Sequence, residues 1–311
     1  MGHLITKNQT KIMMKKIIIF NIFFLLSTLS FSQDMLEGIE DKIVNQKVLY
    51  GFKSTRVINS HSMEMLPYGN LDFRILHRFD YVSSGVDNFF GLDNARTMRL
   101  GFDYGLLDNL TIGIGRSTFK KEIDGFVRYR IIWQSKGEKE MPISLIYTAG
   151  FVYASQKKIG FKDPSIQATF TRRMSYYHQL LIGRKFNEKF TLQLAPMLIH
   201  TNYVENEFVP NDLIALQLGT RYKITKRMAV LIDYTFPFNA FPYNFANHPL
   251  SIGVDIETGG HVFQLHFSNS AGVTERSYIN EENGDWLKGE IGFGFNISRL
   301  FQIHRKKVEG L

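Results

Sequence analysis

Leu71-Asp72-Phe73-Arg74-Ile75-Leu76-His77-Arg78-Phe79-Asp80-Tyr81 is the stretch that decides the fold. Apolar or aromatic side chains hold its odd positions save His77, and charged ones hold its even positions save Leu76. Successive side chains on a strand point to opposite faces, so this stretch predicts a strand with one oily and one wet face. The alternation returns at 98–106, 110–114, 127–133 and 143–153, then along one long run at 166–182. It continues at 190–203, 212–224, 228–238, 250–257, 261–269 and 287–297, which makes twelve segments. A tilted transmembrane β-strand needs about 9–11 residues, and most of these segments reach that length.

The links between segments alternate in length. Pro67-Tyr68-Gly69-Asn70, 107–109, 187–189, 225–227 and Gly259-Gly260 read as tight turns, and 83–94, 204–211, 239–247 and 270–285 as longer connections. Tyr81, Trp133, Tyr153, Tyr203 and Tyr222 fall near segment ends, where the aromatic girdles of a membrane barrel lie. The expectation is an all-β chain: a closed antiparallel transmembrane β-barrel of twelve strands, with fourteen as the alternative. A soluble antiparallel sandwich competes, but it has no reason to place aromatics at both strand ends.

Composition agrees. The chain has 311 residues, 44% hydrophobic and 21% charged, which excludes disorder. It has no cysteine, so disulfides, thiolate metal sites and cysteine nucleophiles are excluded. Beyond the N-terminus no apolar run is long enough for a membrane-spanning helix. Lys15 and Lys16, an apolar stretch at 17–29 and Ser30-Phe31-Ser32 form the pattern of a secretory signal, with cleavage expected before Gln33. Residues 1–32 carry four lysines and no acid, so cleavage lowers the formal charge from +8 to +4 and removes most support for nucleic-acid binding.

The expected organisation is a signal region at 1–32, an N-terminal plug or periplasmic segment at 33–66, the barrel at 67–298 and a periplasmic tail at 299–311. Residues 52–66 would be a thirteenth strand and break the even parity of a barrel, and neither of their two rows is apolar enough to face lipid. They are expected inside the lumen or at its periplasmic mouth, with His61 and Glu64 as the candidate plug residues and 35–44 as a short helical hatch. The last strand, Glu290-Ile291-Gly292-Phe293-Gly294-Phe295-Asn296-Ile297, resembles the β-signal read by the bacterial barrel-assembly machinery, which makes that machinery an expected partner during biogenesis.

Asn59-Ser60-His61-Ser62-Met63-Glu64, His77-Arg78-Phe79, Gly91-Leu92-Asp93, Gly113-Ile114-Gly115-Arg116-Ser117 and Asp124-Gly125-Phe126 together resemble a bacterial family described as a membrane-bound β-barrel domain of unknown function. The resemblance implies the outer membrane of a Gram-negative bacterium. It brings no catalytic or ligand residues.

Catalytic patterns are absent from the sequence, and no enzyme, cofactor or metal is expected. His261 and His266 are five apart on one strand and so face opposite sides, while His61 and Glu64 have odd spacing too. Gly113-Ile114-Gly115-Arg116-Ser117-Thr118 lacks the Gly-Lys-[Ser/Thr] of a phosphate loop, and its glycines are read as relieving crowding on an inner wall. No Gly-x-Ser-x-Gly elbow occurs, and His77 on the oily row has no phased serine.

The phasing instead collects charge on the inner face. It places Arg74, Arg78, Arg99, Arg128, Arg130, Arg221, Lys223 and Lys288 there, against Asp72, Asp80, Asp103, Asp124, Asp233, Asp255, Glu257 and Glu290. Equal numbers of each sign predict a lumen filled by ion pairs or a polar passage for a small solute. A basic rim of Arg116, Lys120, Lys121, Lys157, Lys158, Lys162 and Arg172 is expected to meet phosphates of outer-membrane lipids, including lipopolysaccharide. Three functions stay open: a narrow or plugged channel or transporter for a small solute, a structural or partner-binding barrel, and an outer-membrane lipid enzyme. Oligomeric state is not legible.

Overall fold

The computed structural model describes residues 45–156, 167, 169–204, 210–240, 247–281 and 283–304. The export signal, the helical hatch at 35–44 and rim residues Lys157, Lys158 and Lys162 lie outside the described residues. Twelve antiparallel strands close into one barrel. They are β1 (Asn70–Tyr81), β2 (Ala95–Leu107), β3 (Leu110–Ser117), β4 (Glu122–Ile132), β5 (Ser144–Ala154) and β6 (Met174–Lys185), followed by β7 (Phe190–Thr201), β8 (Asp212–Lys223), β9 (Met228–Pro237), β10 (Leu250–Thr258), β11 (His261–Ser268) and β12 (Gly292–Gln302). Each strand pairs with its sequence neighbour, and β12 closes the ring on β1 with Ile297 opposite Ile75. Closure pairs every edge, so no row of backbone groups is left unbonded in the wall.

The two rows of each strand separate as the alternation requires. Phe102, Ile112, Ile114, Val127, Tyr129, Ile131 and Ile214 point outward and stay exposed, forming an apolar belt around the wall. A belt that continuous is stable only against lipid. The inward row carries Thr, Ser, Gln, Gly and the charged residues, and it is buried.

Several strand limits differ from the sequence expectation. The run at 166–182 becomes a strand only from Met174, because Thr171–Arg173 forms a turn of 3-10 helix. The last strand starts at Gly292, after a second such turn at Trp286–Lys288, and runs on to Gln302, past the expected limit at 298. Pro67-Tyr68-Gly69-Asn70 joins no two wall strands. It leads into β1, where Gly69 (φ +76°) donates its N–H to the Gly105 carbonyl and accepts from Ile303.

Short turns follow β2, β6, β8 and β10 at one end, and longer links follow β1, β5, β7, β9 and β11 at the other. Both limits of the barrel, Asn70 and Gln302, lie at the short-turn end. The barrel is nonetheless not hollow.

Candidate functional site

Residues 51–66 are not part of the wall. Gly51 lies against Thr191 at the start of β7, and the Pro67 carbonyl lies against Gly105 near the end of β2, so both ends of this stretch sit at the short-turn end. Between them the chain doubles back as a hairpin. Ser62 donates its N–H to Thr55, Arg56 bridges to His61, and Val57 donates to Ser60 to make the turn. Phe52, Val57, Ile58 and Met63 are buried with Ile146, Leu181, Ala195 and Leu231, which point inward from β5, β6, β7 and β9. Burying four such side chains contributes roughly 1.5–3 kcal/mol each.

The wall grips the hairpin through its backbone. The Asp233 carboxylate on β9 accepts the N–H groups of Ile58 (3.2 Å), Asn59 (2.8 Å) and Ser60 (2.9 Å), so one side chain caps the whole tip. Asn296 donates to the Ile58 carbonyl and Gln264 to that of Val57, at 2.9 and 2.7 Å. Gln193 accepts from Met63 N–H and donates to the His61 carbonyl, both at 2.7 Å. Arg128 donates to the Ser62 carbonyl and Arg130 to the Met63 carbonyl (2.7 Å). Arg78 reaches Asn59 Oδ1 (2.7 Å) and Asn296 Oδ1 (2.9 Å).

Three inner-wall ion pairs accompany this grip. Asp72 pairs with Arg74, Arg99 with Asp124 (2.5 Å) and Arg221 with Asp255 (3.4 Å). Arg99 lies over two glycines, and a Cβ at Gly115 would fall 2.2 Å from its Nη2, so the inner-wall glycines make room for a guanidinium. Asp103 accepts from Thr55 Oγ1 (2.9 Å), which in turn accepts from Arg74 (2.6 Å).

Five charges expected on the inner wall lie at the strand ends or beyond them. Asp80 is the penultimate residue of β1 and accepts its neighbour's N–H, from Tyr81. Lys223 ends β8 half-buried, and Glu257 pairs with Lys53 at the short-turn end. Lys288 and Glu290 precede β12: Lys288 is exposed, and Glu290 accepts the Asp285 N–H. Asp80, Lys223 and Glu257 thus lie within the last two residues of their strands, at the mouths of the barrel, and only Lys288 and Glu290 fall outside a strand, where the alternation no longer applies. The larger correction concerns partners, since Arg78, Arg128, Arg130 and Asp233 hold the hairpin rather than each other.

A second piece of chain enters from the opposite end. The link between β11 and β12 folds into the lumen and carries a short helix, Glu275–Asn280, started by a capping box between Thr274 and Ser277. Thr274, Glu275, Ser277 and Tyr278 are buried. Glu275 pairs with Arg56 and lies 3.0 Å from His61 Nε2, so link and hairpin meet in mid-lumen. His61 also packs on Phe126 and lies 3.2 Å from the Tyr177 hydroxyl. Burial and the Arg56 charge push His61 down to about 3, so it is neutral, while against its own burial Glu275 is held well below the carboxylate range by the Arg56 charge and a hydrogen bond from His61. Burial pushes Glu64 up to about 7 against the opposing pull of Arg130 and Arg128. Sequence reasoning read 270–285 as an outer connection and missed Arg56 and Glu275.

On the rim, Lys120 is occupied by Glu281 (2.7 Å), whereas Lys121 and Arg172 are exposed. Arg116 reaches Ser155 at 3.4 Å. At the short-turn mouth a cavity of about 400 Å³ lies between hairpin and wall, lined by Tyr50, Phe52, Lys53, Glu64, Arg130 and Trp133 among others. Arg130 stacks on Trp133 at 3.9 Å. His266 points inward and is buried while His261 ends its strand half-exposed, and no group of three metal-ligating side chains converges among the described residues.

Solved structures similar to this one include the NanC porin (TM-score 0.45, 10% identity, 74% of this chain and 98% of that one) and the KdgM porin (0.43, 8%, 76% and 99%). OmpT, an outer membrane protein of Vibrio cholerae, follows at 0.37 and 11% identity, over 75% of this chain and 96% of that one. No curated protein sequence matches the chain. A family model described as a membrane bound beta barrel domain (DUF5777) matches residues 52–301, from the luminal hairpin to the penultimate residue of β12. The match covers hairpin and wall alike, and the chain belongs to the membrane-bound β-barrel domain family.

Proposed function

We propose that this protein is an outer-membrane channel of a Gram-negative bacterium that its own hairpin plugs, and that it passes a small solute when the hairpin withdraws. The observation that carries this reading is the Asp233 cap on three consecutive amides of the hairpin tip. A hairpin whose two ends share one mouth can leave by that mouth without threading the wall. Its grip on the wall strands is mostly single hydrogen bonds, each contributing about 0.5–3 kcal/mol net, which water or a solute can replace, beside the ion pairs of Arg56 with Glu275 and Lys53 with Glu257. The short-turn end is then periplasmic and the long-link end extracellular, the usual orientation of outer-membrane barrels.

The exposed Lys121 and Arg172 suit phosphates of lipopolysaccharide in the outer leaflet, and the β-signal-like strand suits the assembly machinery. No enzymatic step is assigned. The alternative is a structural or partner-binding barrel with a permanently filled lumen.

A cross-link separates the two readings. A Cβ built on Gly183 would lie 3.1 Å from Met63 Cβ, within reach of disulfide geometry after a small adjustment. The native chain has no cysteine, so Met63→Cys with Gly183→Cys introduces a single pair. In planar bilayers the reduced protein is expected to open in bursts, and the oxidised protein to stay shut. Absence of conductance in both states would favour the filled structural barrel.

A further inference from the structure

The wall that holds the hairpin is built to read peptide. Along residues 57–63, six wall side chains bind backbone groups: Asp233, Gln193, Gln264, Asn296, Arg128 and Arg130. They divide by charge. The guanidiniums of Arg78, Arg128 and Arg130 come from β1 and β4, whereas the carboxylate of Asp233 comes from β9 on another part of the ring. Amides of the tip face the carboxylate, and carbonyls three to four residues further on face Arg128 and Arg130. The arginines also have donors to spare. Arg128 Nε and Nη1 and Arg130 Nε are buried without a hydrogen-bond partner in the described structure.

We propose that the released wall binds a short zwitterionic peptide of three to four residues, and that the hairpin is a built-in competitor for that site. This rests on the channel reading for its physiological meaning, since the peptide would be the solute admitted. The amino end would take the place of the tip amides at Asp233. The terminal carboxylate would replace the carbonyls of Ser62 and Met63 and engage the spare donors, so that an ionised acceptor meets each guanidinium where a neutral carbonyl did before. The length follows from the hairpin itself, in which the Asn59 amide held by Asp233 precedes the carbonyls held by Arg128 and Arg130 by three and four residues. A simple anion lacks the group that Asp233 needs, and a neutral sugar lacks both charges.

The test uses full-length Ile58→Asp, which sets a carboxylate beside Asp233 and expels the hairpin while leaving the wall unchanged; Val57→Asp is the second expelling variant. Folding is verified by heat-modifiability. Calorimetry in detergent compares tetra-alanine with N-acetyl-tetra-alanine amide, glutarate and maltotriose. Tetra-alanine is expected to bind at least tenfold more tightly than any of the others. Adding Asp233→Ala or Arg128→Ala to the expelled background should erase that preference. Wild-type protein, and the oxidised Met63–Gly183 cysteine pair, should bind no peptide. Equal binding of the capped and free peptides, or none of either, would overturn the peptide assignment. Conductance of the same variant is read separately: a folded Ile58→Asp barrel that binds tetra-alanine but never conducts would overturn the channel reading and leave the peptide site standing.

Discussion

Removing the cap on the hairpin should release it without unfolding the barrel. Asp233→Ala leaves the N–H groups of Ile58, Asn59 and Ser60 buried and unpaired, because Asp233 accepts all three. Each orphaned buried donor costs about 1–3 kcal/mol, so even the low end approaches 3 kcal/mol. A change of that size shifts the equilibrium between seated and released hairpin roughly a hundredfold. The barrel's ladders are untouched, and so the cheaper response is withdrawal. Asp233→Asn keeps one acceptor and should fall between the two.

Trypsin reports the result. The Arg56–Val57 bond is inaccessible in the seated hairpin, where Arg56 is 1% exposed and paired with Glu275. Mass spectrometry of detergent-folded protein should show cleavage after Arg56 in Asp233→Ala many times faster than in the wild type, with the heat-modifiable band unchanged. Equal protection in both proteins would refute the reasoning, for it would mean that the remaining contacts hold the hairpin without the cap.

Other expectations follow from the same geometry. Glu64 titrates near 7 when seated, against about 4.5 for a free glutamate, so the seated hairpin binds a proton that the released one gives up. Seating is therefore favoured below pH 4.5 and weakens as pH rises to about 7. Cleavage after Arg56 should speed up across that window, and Glu64→Gln should remove the dependence; a pH-independent wild type would count against the burial of Glu64. Gly115→Leu would push Arg99 off Asp124, since even a Cβ there falls 2.2 Å from the guanidinium. Breaking a buried pair costs about 3–5 kcal/mol, so the heat-modification temperature should drop well below that of the wild type. Lys226→Ala, on the exposed turn between β8 and β9, should stay within about 0.5 kcal/mol of it.

The wall was legible because lipid and lumen impose opposite demands on alternate residues, and a period of two records both. Asp72 and Arg74 could be read as one pair, being two apart on one strand. Room for Arg99 was signalled by Gly115 on the next strand. What the alternation could not show is which partner each inward charge meets. Arg56 and Glu275 are 219 residues apart and come from two pieces of chain that enter by different mouths. One signal went unused. Ile146, Leu181 and Leu231 interrupt the polar inward rows, and an apolar side chain on the inner wall must be covered by something other than water. Those breaks mark where the hairpin packs. The capping box at Thr274 and Ser277 likewise marked the link before β12 as ordered rather than as a loose outer loop.

Single-channel conductance of the wild type beside Asp233→Ala, in the same planar bilayer, tests the central claim most directly. The account predicts a wild type that is shut, with rare openings, and a variant that conducts steadily through a barrel of the same heat stability. A wild type that conducts like an open porin, or an Asp233→Ala protein as silent as the wild type after its Arg56 bond has become cleavable, would contradict it.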